Sequence, residues 1–207
     1  IVGIVAGGHD GSALSNVMDY VTIASTGNAS DWGDLGTATH YNEGVSVLDR
    51  ALFNVANTAS GGSADVVVAI DYVLTASTGN ASDFGDLVVS RYGSGACESA
   101  TRGIWMGGEG GWTGSVNLPR NQIDYIALAS TGDASDFGDM TDTVRYNAGS
   151  GNGTRGESYG GNYPNGPDGT YGEDENIEYI TIASTGNATD AGDLTVDRKY
   201  AGACSGT

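Results

Sequence analysis

Four pairs of carboxylates recur three residues apart along the chain: Asp31/Asp34, Asp83/Asp86, Asp136/Asp139 and Asp190/Asp193. Oxygen pairs of this kind suit a hard cation such as Ca2+. Calcium, however, takes about 6 to 8 oxygens, and the spacing is not that of an EF-hand loop. The expectation is therefore no metal, with these eight aspartates as the calcium alternative. Catalytic groups are sparser still. Only His9 and His40 supply imidazole, so the several converging ligands of a metal oxidase are not available. No Gly-x-Ser-x-Gly elbow, zinc spacing or phosphate-cradling loop is present. Neither a cofactor nor an enzymatic activity is expected. Recognition chemistry is better supplied: Trp112 and Arg120 stand in one segment, and Tyr163, Asp168 and Tyr171 in another. Aromatic rings beside carboxylates and amides suit protein or sugar contacts.

Charge limits the partner. With 26 acidic against 8 basic side chains and a formal net charge of -18, nucleic acid is disfavoured, because phosphate binding is driven by Lys and Arg. An anionic membrane surface is disfavoured for the same reason. No apolar run approaches the roughly 18 residues needed to span a bilayer, and Ile1-Val2-Gly3-Ile4-Val5 lacks the basic and cleavage regions of a signal peptide. A chain that starts at Ile1 reads as a processed product or an excerpt of a longer one. Cys97 and Cys204 cannot form the disulfide framework of a small secreted scaffold. They hold the same repeat position and are expected to be free, buried thiols. Asn28, Asn80, Asn152 and Asn187 lie in glycosylation sequons, but three of the four are simply the turn of a repeat.

That repeat organises the whole chain. A unit beginning Asp19-Tyr20-Val21-Thr22-Ile23-Ala24-Ser25-Thr26-Gly27-Asn28 returns at Asp71, Asp124 and Glu178, with starts 52, 53 and 54 residues apart. A glycine pair precedes each unit (Gly7-Gly8, Gly61-Gly62, Gly107-Gly108, Gly160-Gly161), and a basic residue closely followed by Tyr ends it. A period near 50 is that of a four-stranded propeller blade, and the segments show no 3.6-residue apolar stripe. Short β-favouring pieces such as Tyr179-Ile180-Thr181-Ile182 are bounded by Gly, Asn, Ser or Asp. The reading is an all-β, four-bladed β-propeller forming one domain over 1–207. Its blade units are 1–40 (closed by 198–207), 41–91, 92–145 and 146–198. The C-terminal segment is in register to supply the innermost, first strand of the first blade, a strand-swapped closure in which Tyr200 to Ser205 pairs with Val2 to Ala6. An excerpt of a longer array is the competing reading.

The Gly-Gly pair after the second strand, the acidic-Tyr third strand, the aromatic early in the fourth (Trp32, Phe84, Phe137) and the closing basic residue resemble the kelch repeat. The wording Ala-Ser-Thr-Gly-Asn-Ala-Ser-Asp-Phe-Gly-Asp-Leu is similar to kelch-like repeat proteins of marine bacteriophages and environmental virus sequences. The resemblance implies a virion-associated structural or host-attachment protein, on a virion or extracellular surface, with a protein partner in the assembly. A soluble lectin-like propeller that binds glycans is the alternative. The fourth unit departs from the pattern, carrying Ala191 where the others have an aromatic, so one inter-blade contact should be missing.

The loops after the second strand differ between units while those after the third are near copies. Variable loops on a rigid scaffold commonly carry specificity. The expected binding residues are Trp112, Arg120, Tyr163, Tyr171, Asp168 and His9.

Overall fold

The computed structural model describes residues 1–47, 49–58, 66–110, 118–164 and 171–205. Trp112 and Asp168 lie outside them, as does the pair Gly61-Gly62. The described residues contain strands and no helix, and so no helix long and apolar enough to cross a membrane. Four antiparallel sheets are arranged as a four-bladed β-propeller. The first holds β1 (Val2–Ala6), β2 (Ser15–Thr22) and β3 (Ser30–Thr39); the second β4 (Gly44–Val47), β5 (Arg50–Asn54), β6 (Ala69–Leu74) and β7 (Ser82–Asp86). The third holds β8 (Gly95–Glu98), β9 (Arg102–Met106), β10 (Glu109–Gly110), β11 (Leu118–Ala127) and β12 (Ser135–Val144). The fourth holds β13 (Ala148–Gly151), β14 (Arg155–Pro164), β15 (Tyr171–Thr181) and β16 (Thr189–Asp193).

Successive side chains of a strand point to opposite faces, and in a propeller both faces meet another blade. In β6, Val73 packs in a cluster with Trp32 of the first sheet, while Ile70 and Tyr72 pack in a cluster with Trp105 and Ile126 of the third. Hence the third strand of a blade reads as a nearly continuous apolar run and not as a strict alternation. The glycine pairs mark a backbone bend that side chains oppose: Gly107 and Gly108 have φ of 66° and 96°, and a Cβ on Gly107 would lie 2.8 Å from the Val144 carbonyl oxygen. Trp32, Phe84 and Phe137 are buried, one in each of three inter-blade clusters. Each takes an edge-on ring partner from its own blade: Tyr20, Tyr72 and Tyr125.

The repeated turn is a latch between blades. Gly79, Gly132 and Gly186 donate their N–H to the carbonyls of Trp32, Phe84 and Phe137 at 2.7, 2.8 and 2.7 Å. The following side chains, Asn80, Asp133 and Asn187, each accept at 3.1 Å from the backbone N–H of Asp34, Asp86 and Asp139 of the preceding blade. The approach is close enough to require glycine: a Cβ on Gly85 would stand 2.2 Å from the Gly132 carbonyl oxygen. A third hydrogen bond comes from the acid of the third strand, where Asp71, Asp124 and Glu178 accept from the N–H of Gly36, Val88 and Thr141.

Three features differ from the sequence reading. The C-terminal segment does return to the ring, with the Tyr200 N–H donating to the Tyr146 carbonyl at 3.1 Å and the Ser205 hydroxyl donating to the Gly151 carbonyl. However, residues 201–205 are exposed, no strand is formed there, and the first sheet has three strands. Ordering a short terminal strand costs about 1 to 2 kcal/mol per residue of backbone entropy, and Ala201-Gly202-Ala203-Cys204 has little apolar surface to offset it. Cys204 is accordingly exposed, whereas Cys97 is the buried thiol, its pKa pushed up by burial to about 12. The third difference is in the long segments between second and third strands, which are substantially hairpin: β14 and β15 remain paired out to Pro164 and Tyr171.

Burial also raises the Glu43 carboxyl, at the entry to β4, to about 7 from its ordinary 4.5. A folded-state pKa above the unfolded value means the contribution is fully present below about pH 4.5 and is lost as pH rises through 7. Between those limits stability should fall by up to about 3 kcal/mol from this group. In Glu43→Gln that decline should be smaller in denaturant titrations across the same pH range. An unchanged slope would show that self-repulsion of the acidic chain, and not Glu43, sets it.

Candidate functional site

A Tyr follows each blade, and the fold brings all four together. Tyr41, Tyr92, Tyr146 and Tyr200 meet about the axis, with ring centroids 5.6 Å apart for Tyr41 and Tyr92, 6.2 Å for Tyr92 and Tyr146, and 4.5 Å for Tyr146 and Tyr200. Tyr41 and Tyr146 also meet, at 5.9 Å. These spacings are those of attractive aromatic pairs. Three of the four hold a left-handed backbone, with φ of 56°, 57° and 58° at Tyr41, Tyr146 and Tyr200. Such a conformation costs a non-glycine residue roughly 1 to 2 kcal/mol, so the ring packing repeatedly overcomes local preference at this position. In the second of the four turns Gly93 takes the positive φ instead.

The cluster has a buried base and an open rim. Tyr92 is 5% exposed, whereas Tyr41 and Tyr200 are 46% and 63% exposed. Beneath the rim, Glu109 is buried, ion-pairs with Arg145 and accepts from the Tyr146 hydroxyl at 3.0 Å. Burial first, and the neighbouring Glu109 carboxylate second, push the Tyr146 hydroxyl well above its ordinary pKa. It therefore stays a neutral donor. The Arg145 guanidinium is held further by Asn162 Oδ1, 3.0 Å from its Nε. It lies 5.1 Å from the Tyr146 ring centroid and 3.9 Å from that of Tyr171.

This cation joins the sequence-predicted Tyr171 to the axis. His9 joins from the other side, 6.3 Å from His40, which lies 4.3 Å from Tyr41. Burial lowers the His40 pKa, keeping it neutral over most of the physiological range. The result is one aromatic tract from His9 through His40, Tyr41 and Tyr146 to Arg145 and Tyr171. Lys199 closes the rim, 5.8 Å from the Tyr200 ring and ion-paired with Glu173 at 3.0 Å.

The other predicted residues lie elsewhere. Arg120 is half-buried on β11, its N–H donating to the Gly108 carbonyl at 2.8 Å and its guanidinium lying over Gly110. Tyr163 lines a cleft of about 450 Å³ with Asp142, Glu173, Asp174, Glu175 and Asp197. The aspartate pairs lie within β3, β7, β12 and β16, where Asp31 and Asp190 accept from the backbone N–H of Gly33 and Gly192. Among the described residues no group of three or more His, Cys, Asp or Glu is arranged to hold a metal.

Tyr41, Tyr92, Tyr146, Tyr200, Glu109 and Arg145 were not among the predicted site residues. Their signal was present: a Tyr at the same place in all four units, at the link to the innermost strand, must converge if the units close around an axis. Chemically the tract offers ring faces, tyrosine hydroxyls and two cations whose charges are already partnered by Glu109 and Glu173. No family model matches the chain, and no curated protein matches it.

Proposed function

We propose that this chain is a non-enzymatic interaction module, a structural or host-attachment component of a virus particle or similar surface assembly. Its partner, a protein of that assembly, docks on the face holding the axial tyrosines. The observation that carries the reading is the tract itself: rigid aromatic side chains, exposed at the rim and anchored by a buried ion pair below. Central aromatic anchors on an immobile support are what dominate protein contacts, because they bury much area for little lost rotamer freedom. A non-enzymatic role accords with Glu109, whose carboxylate is engaged by Arg145 and Tyr146. The kelch-like wording of the repeats supports the particle setting, while fold alone licenses no function.

A lectin-like role is the second reading, favoured by the openness of Tyr41 and Tyr200 beside hydroxyls and a histidine. Electron microscopy locating the chain in its native assembly, together with a glycan array, separates the two. A protein contact should bury roughly 1,000 Å² or more centred on the tyrosines. In either case Tyr41→Ala combined with Tyr200→Ala is expected to weaken binding by about a hundredfold or more, measured on protein that keeps a cooperative thermal melt. Retained binding would move the site to the Ser-Thr-Gly-Asn turns.

A further inference from the structure

Three of the four blade junctions are latched, and among the described residues the fourth is not. Asp71, Asp124 and Glu178 each accept a backbone N–H from the preceding blade, two residues beyond its Asp-aromatic-Gly-Asp segment. By the same register Asp19 should accept from Thr195, yet Asp19 is exposed and no hydrogen bond among the described residues joins them. The turn Gly27-Asn28-Ala29 and its counterpart Ala191-Gly192-Asp193 are likewise unjoined: a Cβ on Gly192 would meet nothing within 4 Å, whereas one on Gly33, Gly85 or Gly138 would lie 2.5, 2.2 or 2.5 Å from the backbone of the next blade.

The apolar side chains tell the same story. Val5 occupies the place of Phe53 and Trp105, and Ile23 that of Leu128 and Ile182. Val5 and Ile23 are 71% and 66% exposed, whereas those four are 6%, 0%, 2% and 1%. Val21 stands exposed where Val73, Ile126 and Ile180 are buried. Among the described residues no strand pairs with the free edge of β1, and a groove of about 830 Å³ runs along it, lined by Ile1, Val2 and Ile4 on one side and by Val45, Val47 and Phe53 of the second blade on the other.

The first blade and the fourth thus present two different surfaces, each the complement of the other by the pattern of three junctions inside the same chain. An exposed apolar face of this extent marks an interaction site, and a heterologous pair of faces joins copies head to tail. We infer that the occupant is a second copy of this chain. The fourth blade of one copy docks on the first blade of the next, with Asp19 taking the Thr195 N–H, Asn28 the Asp193 N–H, and the Gly202-Ala203-Cys204-Ser205 segment exchanging its Ser205–Gly151 hydrogen bond for pairing along β1, as Gly95-Ala96-Cys97-Glu98 pairs along β9. This assembly surface is separate from the tyrosine face and does not depend on how that face is read.

Sedimentation of the full chain over a wide concentration range tests it. Dimers and longer species are expected to grow with concentration. Ala191→Phe, which restores the aromatic of the other junctions, should strengthen association about tenfold or more, and Asp19→Ala, at an exposed position, should weaken it by a similar factor. In a Cys204→Ser background, Ala29→Cys with Asp193→Cys occupy the places of Ala81 and Asp34, whose backbones are hydrogen-bonded at 2.8 Å. Mild oxidation should then give covalent dimers and ladders. A disulfide confined to single chains would show the junction closing within one molecule and overturn the proposal. So would a chain that stays monomeric with Ala191→Phe, or association indifferent to Asp19→Ala.

Discussion

Asp124→Ala is expected to cost about 3 to 5 kcal/mol in chemical denaturation, the largest effect of any single substitution outside the inter-blade aromatics. Asp124 and Arg91 are both fully buried, 2.9 Å apart. Arg91 also donates to the carbonyls of Gln122 and Gly107 at 2.7 and 3.1 Å, and Asp124 accepts from Val88 of the neighbouring blade at 3.0 Å. Burial pushes the carboxyl pKa up and the guanidinium pKa down, and each partner opposes the shift of the other. Removing the carboxylate leaves a cation in the interior with only carbonyl dipoles for company, and it also frees the Val88 N–H. Breaking such a pair costs far more than the pair contributes, because the remaining charge is desolvated without compensation. The signature is therefore asymmetric: Arg91→Met with Asp124→Leu should recover most of the loss. A single-variant loss below about 1 kcal/mol would show that water reaches Arg91 and that the blade arginine is not a structural centre.

The second large effect is at the inter-blade aromatics. Trp32→Ala, Phe84→Ala and Phe137→Ala should each cost roughly 3 to 5 kcal/mol, the cost of truncating a buried large ring without full collapse of the cavity. Phe84 sits among Trp105, Ile126 and Leu128, and Phe137 among Ile180 and Ile182, so each truncation loosens one whole junction. The backbone carbonyl of each aromatic also receives the latch hydrogen bond from the next blade. Truncation should thus couple to the turn: Phe84→Ala with Asp133→Ala should be less destabilising than the sum of the two, since residues in one network are not additive. Strict additivity, measured by denaturant melts of the four proteins of the cycle, would separate ring packing from the latch.

The sequence by itself determined the number of blades, the place of the buried rings and the position of the blade arginine. It did so because a repeat forces the same local solution four times, so that Trp32, Phe84 and Phe137 identify one another without any knowledge of contacts. Tertiary structure decided what the repeated residues do between units. Asn80, Asp133 and Asn187 read locally as turn formers, and only the approach of a neighbouring backbone makes them latch acceptors. A Tyr after a basic residue reads as a strand boundary, and only the arrangement of the blades around one another gathers Tyr41, Tyr92, Tyr146 and Tyr200 into a single surface. Tyr171 belonged to the predicted site, but its partner Arg145 lies 26 residues earlier and could not be named from spacing. Register, finally, counts residues and not free energy. Cys204 stands in phase with Cys97, yet one thiol is buried and the other exposed, because a strand forms only where burial and pairing outweigh the entropy of ordering the chain.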